Sequence, residues 1–140
     1  MQKATSGAAA AAPALSDIQV LVVEDNDASR RVIEMTLKDL GVGSIYWAND
    51  SGEGAAVFEE KKPNLVLIDW DLGSNDGLNL GKKIKEQVAA TGRDVGVILS
   101  VAFSERERIL EAVQAGLMNI MAKPVTSANL KKQILKIVAA

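Results

Sequence analysis

Acidic side chains follow two apolar stretches of this 140-residue chain, and they are its first indication of chemistry. The segment LVLID ends in Asp69 and is followed closely by Asp71, whereas LVVEDN contains Glu24 and Asp25. Carboxylates that come close together repel each other and lose hydration unless a cation or a proton compensates. Hard oxygen ligands suit Mg²⁺, which binds few protein carboxylates and keeps several waters. If the two segments meet, they predict a Mg²⁺ site.

A lysine completes the candidate chemistry. Lys123, followed by Pro124, ends another short apolar stretch. A metal, a carboxylate oxygen and an ammonium group together describe a site for phosphoryl transfer onto Asp69. Each residue taken singly also has an ordinary structural role. One of Asp25, Asn26 and Asp27 could cap a helix, Asp71 or Asp76 could stabilise a turn, and Lys123 could simply be solvated. The prediction therefore depends on whether the fold brings these residues together.

The composition excludes several other kinds of site. The chain has no histidine and no cysteine, which removes imidazole catalysis, a phosphohistidine carrier, disulfides and thiolate zinc sites. A net charge of −2 gives no basic field for direct nucleic-acid binding. No stretch is long and apolar enough for a membrane span. The alanine-rich residues 1–16 are predicted to be a flexible tail before a domain at 17–140, and without a targeting signal the expected location is cytoplasmic.

Apolar runs and helical periodicities alternate regularly along the rest of the chain. The patterns predict strands at residues 18–23, 44–48, 65–68, 95–102 and 119–122. They predict helices at residues 28–40, 51–61, 77–89 and 105–115, the last one capped by Ser104, and a final helix from Ser127. Such alternation predicts an α/β fold, a flavodoxin-like (βα)5 doubly wound parallel sheet with strand order 2-1-3-4-5.

This fold determines where the chemical residues meet. Ligands of open parallel sheets bind outside the carboxyl ends of the strands, at the switch point, which here lies between the first and third strands. Those two strands end in Glu24 and Asp25 and in Asp69. Asp71 lies in the adjoining loop, and Lys123 ends the fifth strand on the same edge of the sheet.

Three segments resemble the signature blocks of response-regulator receiver domains of two-component signalling, of the chemotaxis-regulator type. They are VLVVEDN, PNLVLIDWDLGSNDGLNL and AGLMNIMAKP, and the resemblance extends over about residues 18–139. It implies that Asp69 is the phosphoacceptor, which becomes 4-aspartylphosphate, and that Lys123 binds the phosphoryl oxygens. It also implies that Mg²⁺ is bound directly by Asp25 and Asp69.

The resemblance implies three further features of the site. The main-chain carbonyl of Asp71 would be another Mg²⁺ ligand, and Glu24 would act on the metal through water. The Lys123–Pro124 peptide bond would be cis, which is otherwise a minority isomer.

Three positions depart from the family pattern. The position that usually carries Ser or Thr at the end of the fourth strand aligns with Val101, although a shift of one residue would place Ser100 there. The usual aromatic residue of the fifth strand aligns with Ile120, and Gly73 replaces a usual proline after the phosphoacceptor. Because the acids and the lysine are all present, these departures concern the conformational output more than the phosphoryl chemistry.

The resulting hypothesis is a stand-alone receiver domain that signals by protein–protein contact and is not an enzyme. Its expected partners are a histidine kinase or a histidine phosphotransfer protein and a downstream protein target, without direct binding to nucleic acid or membrane. A first alternative is a receiver-fold interaction module with weak or no phosphorylation-dependent switching. A remote second alternative is a haloacid dehalogenase-type phosphatase, whose first motif is also a strand that ends in Asp-x-Asp.

Overall fold

Five strands alternate with five α-helices in a computed structural model that describes residues 14–72, 76–102, 106–117 and 119–139, apart from the side chains of Asp76 and Ala139. The strands are β1 (Gln19–Val23), β2 (Ser44–Ala48), β3 (Leu65–Asp69), β4 (Gly96–Ala102) and β5 (Ile120–Lys123). The helices are α1 (Asp27–Leu40), α2 (Ser51–Lys61), α3 (Asp76–Thr91), α4 (Arg106–Gln114) and α5 (Ser127–Ala139).

The strands form one sheet in the order β2-β1-β3-β4-β5, and all of its pairs are parallel. The predicted flavodoxin-like fold and strand order are confirmed. Every strand boundary agrees with the predicted one to within one residue. The predicted Ser104 cap and the first residue of the predicted fourth helix, like Gly73, lie outside the described residues.

Two apolar cores cover the two faces of the sheet, because successive side chains of a strand point to opposite faces. The first core joins strand residues such as Val66 and Leu99 to Phe58 of α2, Ile84 of α3 and Ala112 of α4. The second core joins the alternate strand residues to apolar side chains of α1 and α5, including Ile33, Leu37, Leu130 and Ile134. Since β3 is buried at all five positions, it supports the site from the centre of the sheet.

The start of α3 approaches the end of β3 very closely. A Cβ atom added to Gly77 would lie 2.3 Å from the carbonyl oxygen of Asp69 and 2.6 Å from the Cα atom of Trp70. The Gly77 amide also donates to the carbonyl oxygen of Trp70 at 3.3 Å. A glycine is therefore needed where α3 packs on the segment that carries the central aspartate.

A short helical segment precedes β1 at the predicted domain boundary of residue 17, which stays a prediction. Leu15–Asp17 form a short 3-10 helix, and Leu15 packs against the second core. The first thirteen residues of the predicted tail lie outside the described part of the chain. Among the described residues, no helix has the length and apolar character that crossing a bilayer would require.

Candidate functional site

Three acidic side chains meet at the carboxyl edge of the sheet. Glu24 and Asp25 follow β1, and Asp69 ends the adjacent β3. Each offers a carboxylate oxygen, and these oxygens all lie within 4.8 Å of one another. Glu24 and Asp69 are buried and Asp25 is exposed, so two carboxyl groups lie in the protein interior and one faces solvent. This acidic group could hold a hard cation.

Asn26 is the helix cap among the three candidates, Asp25, Asn26 and Asp27, that the sequence left open. The Asn26 side-chain oxygen accepts from the amide of Ser29 at 2.9 Å, so it satisfies one free N–H group at the start of α1. The Asn26 amide in turn donates to the Glu24 carboxylate at 3.2 Å. The Asp25 side chain is thus not used as the cap and belongs to the acidic group instead.

Arg30 of α1 ties the ends of β1 and β2 together beside the acidic group. Its Nε donates to the carbonyl oxygen of Glu24 at 2.6 Å, and its Nη2 donates to the carbonyl oxygen of Ala48 at 3.2 Å and to Asn49 Oδ1 at 2.7 Å. The guanidinium lies over the Trp47 ring, 5.3 Å from its centroid. These contacts fix the backbone of Glu24 through a residue that the sequence analysis did not identify.

Glu24 is the acid whose protonation the site alters most clearly. Burial raises the pKa of the Glu24 carboxyl to about 7, and the negative charge of Asp69 beside it acts in the same direction. The hydrogen bond from Asn26 opposes this rise in pKa but does not cancel it. Without a cation in the acidic group, Glu24 is therefore partly protonated near neutral pH.

Lys123, at the end of β5, brings the positive charge to the acidic group. Its Nζ pairs with Asp69 Oδ1 and lies 3.3 Å from Asp71 Oδ2. Burial alone would lower the pKa of the Lys123 ammonium, but its hydrogen bonds and charge interactions with Asp69 and Asp71 raise that pKa above its usual value. The peptide bond between Lys123 and Pro124 is cis.

Asp71 joins the central aspartate to α4. Its amide donates to Asp69 Oδ1 at 3.0 Å, and its own carboxylate accepts from Arg108 Nη1 at 2.6 Å. The hydrogen bond from Arg108 lowers the pKa of the Asp71 carboxyl, and Lys123 adds to this effect against the partial burial of the group. Arg108 also lies over the buried Trp70 ring, 5.3 Å from its centroid.

Ser100 and Val101, the two candidates for the usual hydroxyl position, lie on opposite faces of β4. Ser100 is the register partner of Asp69 and lines a small cavity with Glu24 and residues of the second core. Val101 is fully buried in the first core. Ile120 of β5 is partly buried against the first core, in register with Leu99.

The structure brings together five residues that the sequence analysis had selected: Glu24, Asp25, Asp69, Asp71 and Lys123. Arg30 and Arg108 were missed, because each acts on the site from a helix through tertiary contacts. The arrangement places a group of carboxylate oxygens that could hold a cation next to the ammonium group of Lys123. Such an arrangement can support phosphoryl transfer onto a carboxylate.

Comparisons with known proteins agree with this arrangement. The family model described as the response regulator receiver domain matches residues 20–135. The chemotaxis protein CheY-3 of Vibrio cholerae is 30% identical over 121 residues, which is 86% of this chain and 92% of that protein. A CheY-like receiver domain protein from Methanospirillum hungatei has a TM-score of 0.75 at 24% identity, covering 87% of this chain and 94% of that one.

A third comparison involves a complex. The receiver domain of the response regulator Ssk1 from Saccharomyces cerevisiae was solved together with the histidine phosphotransfer protein Ypd1. It has a TM-score of 0.75 at 23% identity, covering 86% of this chain and 88% of that one.

Proposed function

Because the chain belongs to the response regulator receiver domains of two-component signalling, we propose that it accepts a phosphoryl group on Asp69 from a phosphohistidine. One observation carries this proposal: the Asp69 carboxylate is in contact with Lys123 on one side and belongs to the acidic group on the other. Asp69 is only 5% exposed, so little of its side chain is open to solvent.

We propose Mg²⁺ as the cofactor. All donors of the acidic group are carboxylate oxygens, and the chain has neither histidine nor cysteine to favour a softer metal. Asp25 and Asp69 would hold the ion directly, the carbonyl of Asp71 would add a ligand, and Glu24 would act through water. When bound, Mg²⁺ supplies positive charge that neutralises the phosphoryl oxygens during transfer.

The residues of the chain itself carry out the transfer. An Asp69 carboxylate oxygen attacks the phosphorus, so an O–P bond forms as the P–N bond to the donor imidazole breaks. The electron pair stays on that nitrogen of the imidazole, and Lys123 stabilises the phosphoryl oxygens by charge. The product is 4-aspartylphosphate at Asp69, and the protein is a phosphoacceptor in signalling rather than a turnover enzyme.

The proposed donors are a histidine kinase or a histidine phosphotransfer protein. The complex of Ypd1 with the Ssk1 receiver domain is an example of such a pairing on the same fold. The output would be contact with a downstream protein, without direct binding to nucleic acid or membrane, in the cytoplasm. The stand-alone character of the receiver domain remains part of this proposal.

A second candidate function is an interaction module whose phosphorylation changes its conformation little. The observation in its favour is Val101, which is fully buried in the first core. Val101 takes the family's usual hydroxyl position if the alignment has no shift of one residue. Membership of the receiver family removes the reason for the remote second alternative of the sequence analysis, a haloacid dehalogenase-type phosphatase.

Phosphorylation with acetyl phosphate and Mg²⁺ tests the proposed function. Borohydride trapping followed by mass spectrometry should place the label on Asp69, and Asp69→Asn should take none. Asp94→Asn is a matched control, because that exposed aspartate precedes β4 at the opposite edge of the sheet. A label on another acid, or an unlabelled wild-type protein, would refute the assignment.

A further inference from the structure

The Lys123 ammonium lies between two carboxylates, only one of which is the proposed phosphoacceptor. It pairs with Asp69 Oδ1, and Asp71 Oδ2 lies 3.3 Å away. An ammonium that serves phosphoryl oxygens must be able to leave other anions. Asp71 therefore competes with the incoming phosphoryl group for the same positive charge.

Arg108 contacts Asp71 on its other carboxylate oxygen. Its Nη1 lies 2.6 Å from Asp71 Oδ1, whereas Lys123 lies 3.3 Å from Oδ2. The guanidinium also lies over the buried Trp70 ring, which fixes it against the end of β3. An arginine is always charged at neutral pH, and its planar shape suits both a carboxylate partner and an aromatic ring.

From this geometry we propose that Arg108 is a positioning residue for phosphoryl acceptance: it neutralises Asp71 and so leaves Lys123 available to the phosphoryl oxygens. The inference rests on the proposed function of Asp69. It adds a residue of α4 to the site, 37 positions after Asp71 along the chain.

The negative charge of the phosphoryl donor explains why the contact between Arg108 and Asp71 should affect the reaction. Acetyl phosphate reaches the site as an anion; its P–O bond to acetate breaks as the Asp69 oxygen bonds to phosphorus, and acetate leaves with the electron pair. An uncompensated Asp71 would repel this donor and would hold Lys123 more firmly. Arg108 removes both effects, so its loss slows the reaction through Asp71.

A double-mutant cycle measures this dependence. The rate constant for Asp69 labelling by dilute acetyl phosphate is compared in the wild type, Arg108→Gln, Asp71→Asn and the double variant. Arg108→Gln should lower the rate about two- to fivefold, the range of a partly exposed ion pair. In the Asp71→Asn background the same change should have little effect, because no carboxylate is left to neutralise.

Salt and two further variants separate this role from a structural one. The loss in Arg108→Gln should shrink at high salt, since screening weakens charge effects between partly exposed groups. Arg108→Lys keeps the charge and should therefore recover most of the rate. It also tests the role of the charge if the glutamine variant folds poorly. Arg106→Gln removes the same charge from an exposed position of α4 and should react like the wild type.

The possible results separate the role of Arg108 from the proposed function of Asp69. An unchanged rate in Arg108→Gln, an equal loss in both Asp71 backgrounds, or a loss independent of salt would overturn the role of Arg108 alone. If Asp69 takes no label in any variant, the proposed function fails and the inference fails with it.

Discussion

Glu24 and Asp69 lie side by side as buried carboxyl groups, 3% and 5% exposed, at the ends of adjacent strands. Burial of Glu24 and the charge of Asp69 together raise the pKa of the Glu24 carboxyl to about 7. In the metal-free site Glu24 is therefore partly protonated near pH 7, and a cation bound by the acidic group would favour the ionised form. Protonation of Glu24 and binding of a cation by the acidic group would therefore be linked.

The stability of the metal-free protein should decrease as the pH rises, because of Glu24. A carboxyl whose pKa is raised on folding binds more protons in the folded state than in the unfolded state. The unfolding free energy therefore declines as the pH rises from 4.5, the ordinary pKa of the group, to about 7, its pKa in the folded protein. Urea unfolding in EDTA at pH 5 and pH 8 should therefore show a larger loss in the wild type than in Glu24→Gln. Equal losses in the two proteins would contradict the raised pKa.

Mg²⁺ should bind the folded protein and raise its stability. At ten times the dissociation constant the gain should be about 1.4 kcal/mol. Asp25→Asn should weaken binding by more than about tenfold, because even the loss of an outer-shell partner commonly costs that much. Asp27→Asn is the control, since this neighbouring aspartate begins α1 and lies outside the acidic group. Titration calorimetry would refute the site if both variants bound Mg²⁺ alike.

Gly77→Ala should disturb both stability and the site. The new Cβ would meet the backbone of Asp69 and Trp70 at 2.3 and 2.6 Å, so the end of β3 or the start of α3 must shift. Overpacking of this kind costs about 1–3 kcal/mol of unfolding free energy. Labelling of Asp69 should also slow, because its backbone moves.

The matched control for Gly77 is Gly52→Ala. Both glycines are the second residue of a helix, but a Cβ at Gly52 would lie 3.5 Å from Asp50 Oδ1, an ordinary contact. This variant should keep or slightly increase the stability of the protein. Equal unfolding free energies of the two variants would refute the argument from close approach.

The phosphorylated state should differ from the unphosphorylated state mainly near the site. Val101 cannot donate the hydrogen bond of the usual hydroxyl, which would contribute about 1.5–3 kcal/mol to a charged acceptor. Ile120 has no ring to move, and its branched side chain is stiff at χ1. Amide chemical shifts with beryllofluoride, which mimics a phosphoryl group, should therefore change in the loops near Asp69 and Lys123.

Large changes in chemical shift throughout α4 and at Ile120 would contradict this expectation. They would favour Ser100 as the residue that supplies the usual hydroxyl of the fourth strand. Ser100→Ala and Val101→Thr distinguish the two positions directly. If Val101 occupies the usual hydroxyl position, Val101→Thr should extend the chemical-shift changes into α4, whereas Ser100→Ala should alter them little.

The alternation of apolar runs and helical periods was sufficient to predict the fold, its strand order and the edge where the acids meet. These features depend on local preferences and on the few topologies open to a (βα)5 chain. For the same reason Glu24, Asp25, Asp69 and Lys123 could be selected as strand-end residues before any distance was known.

Other features were decided only when helices packed against the sheet. The sequence allowed Asp25 or its neighbours to cap α1, and the folded backbone gave that role to Asn26. It contained no signal that Arg108 would reach Asp71 and Trp70, or that Arg30 would join the ends of β1 and β2.

The physical reason lies in the range of the forces involved. Periodicity and strand-end chemistry act within a few residues, so the sequence by itself determined the sheet and the convergence of its acids. The contact of Arg108 with Asp71 depends on where α4 lies over the sheet, and the raised pKa of Glu24 depends on burial by the folded chain. Only the tertiary structure decided which charges neutralise one another at the site.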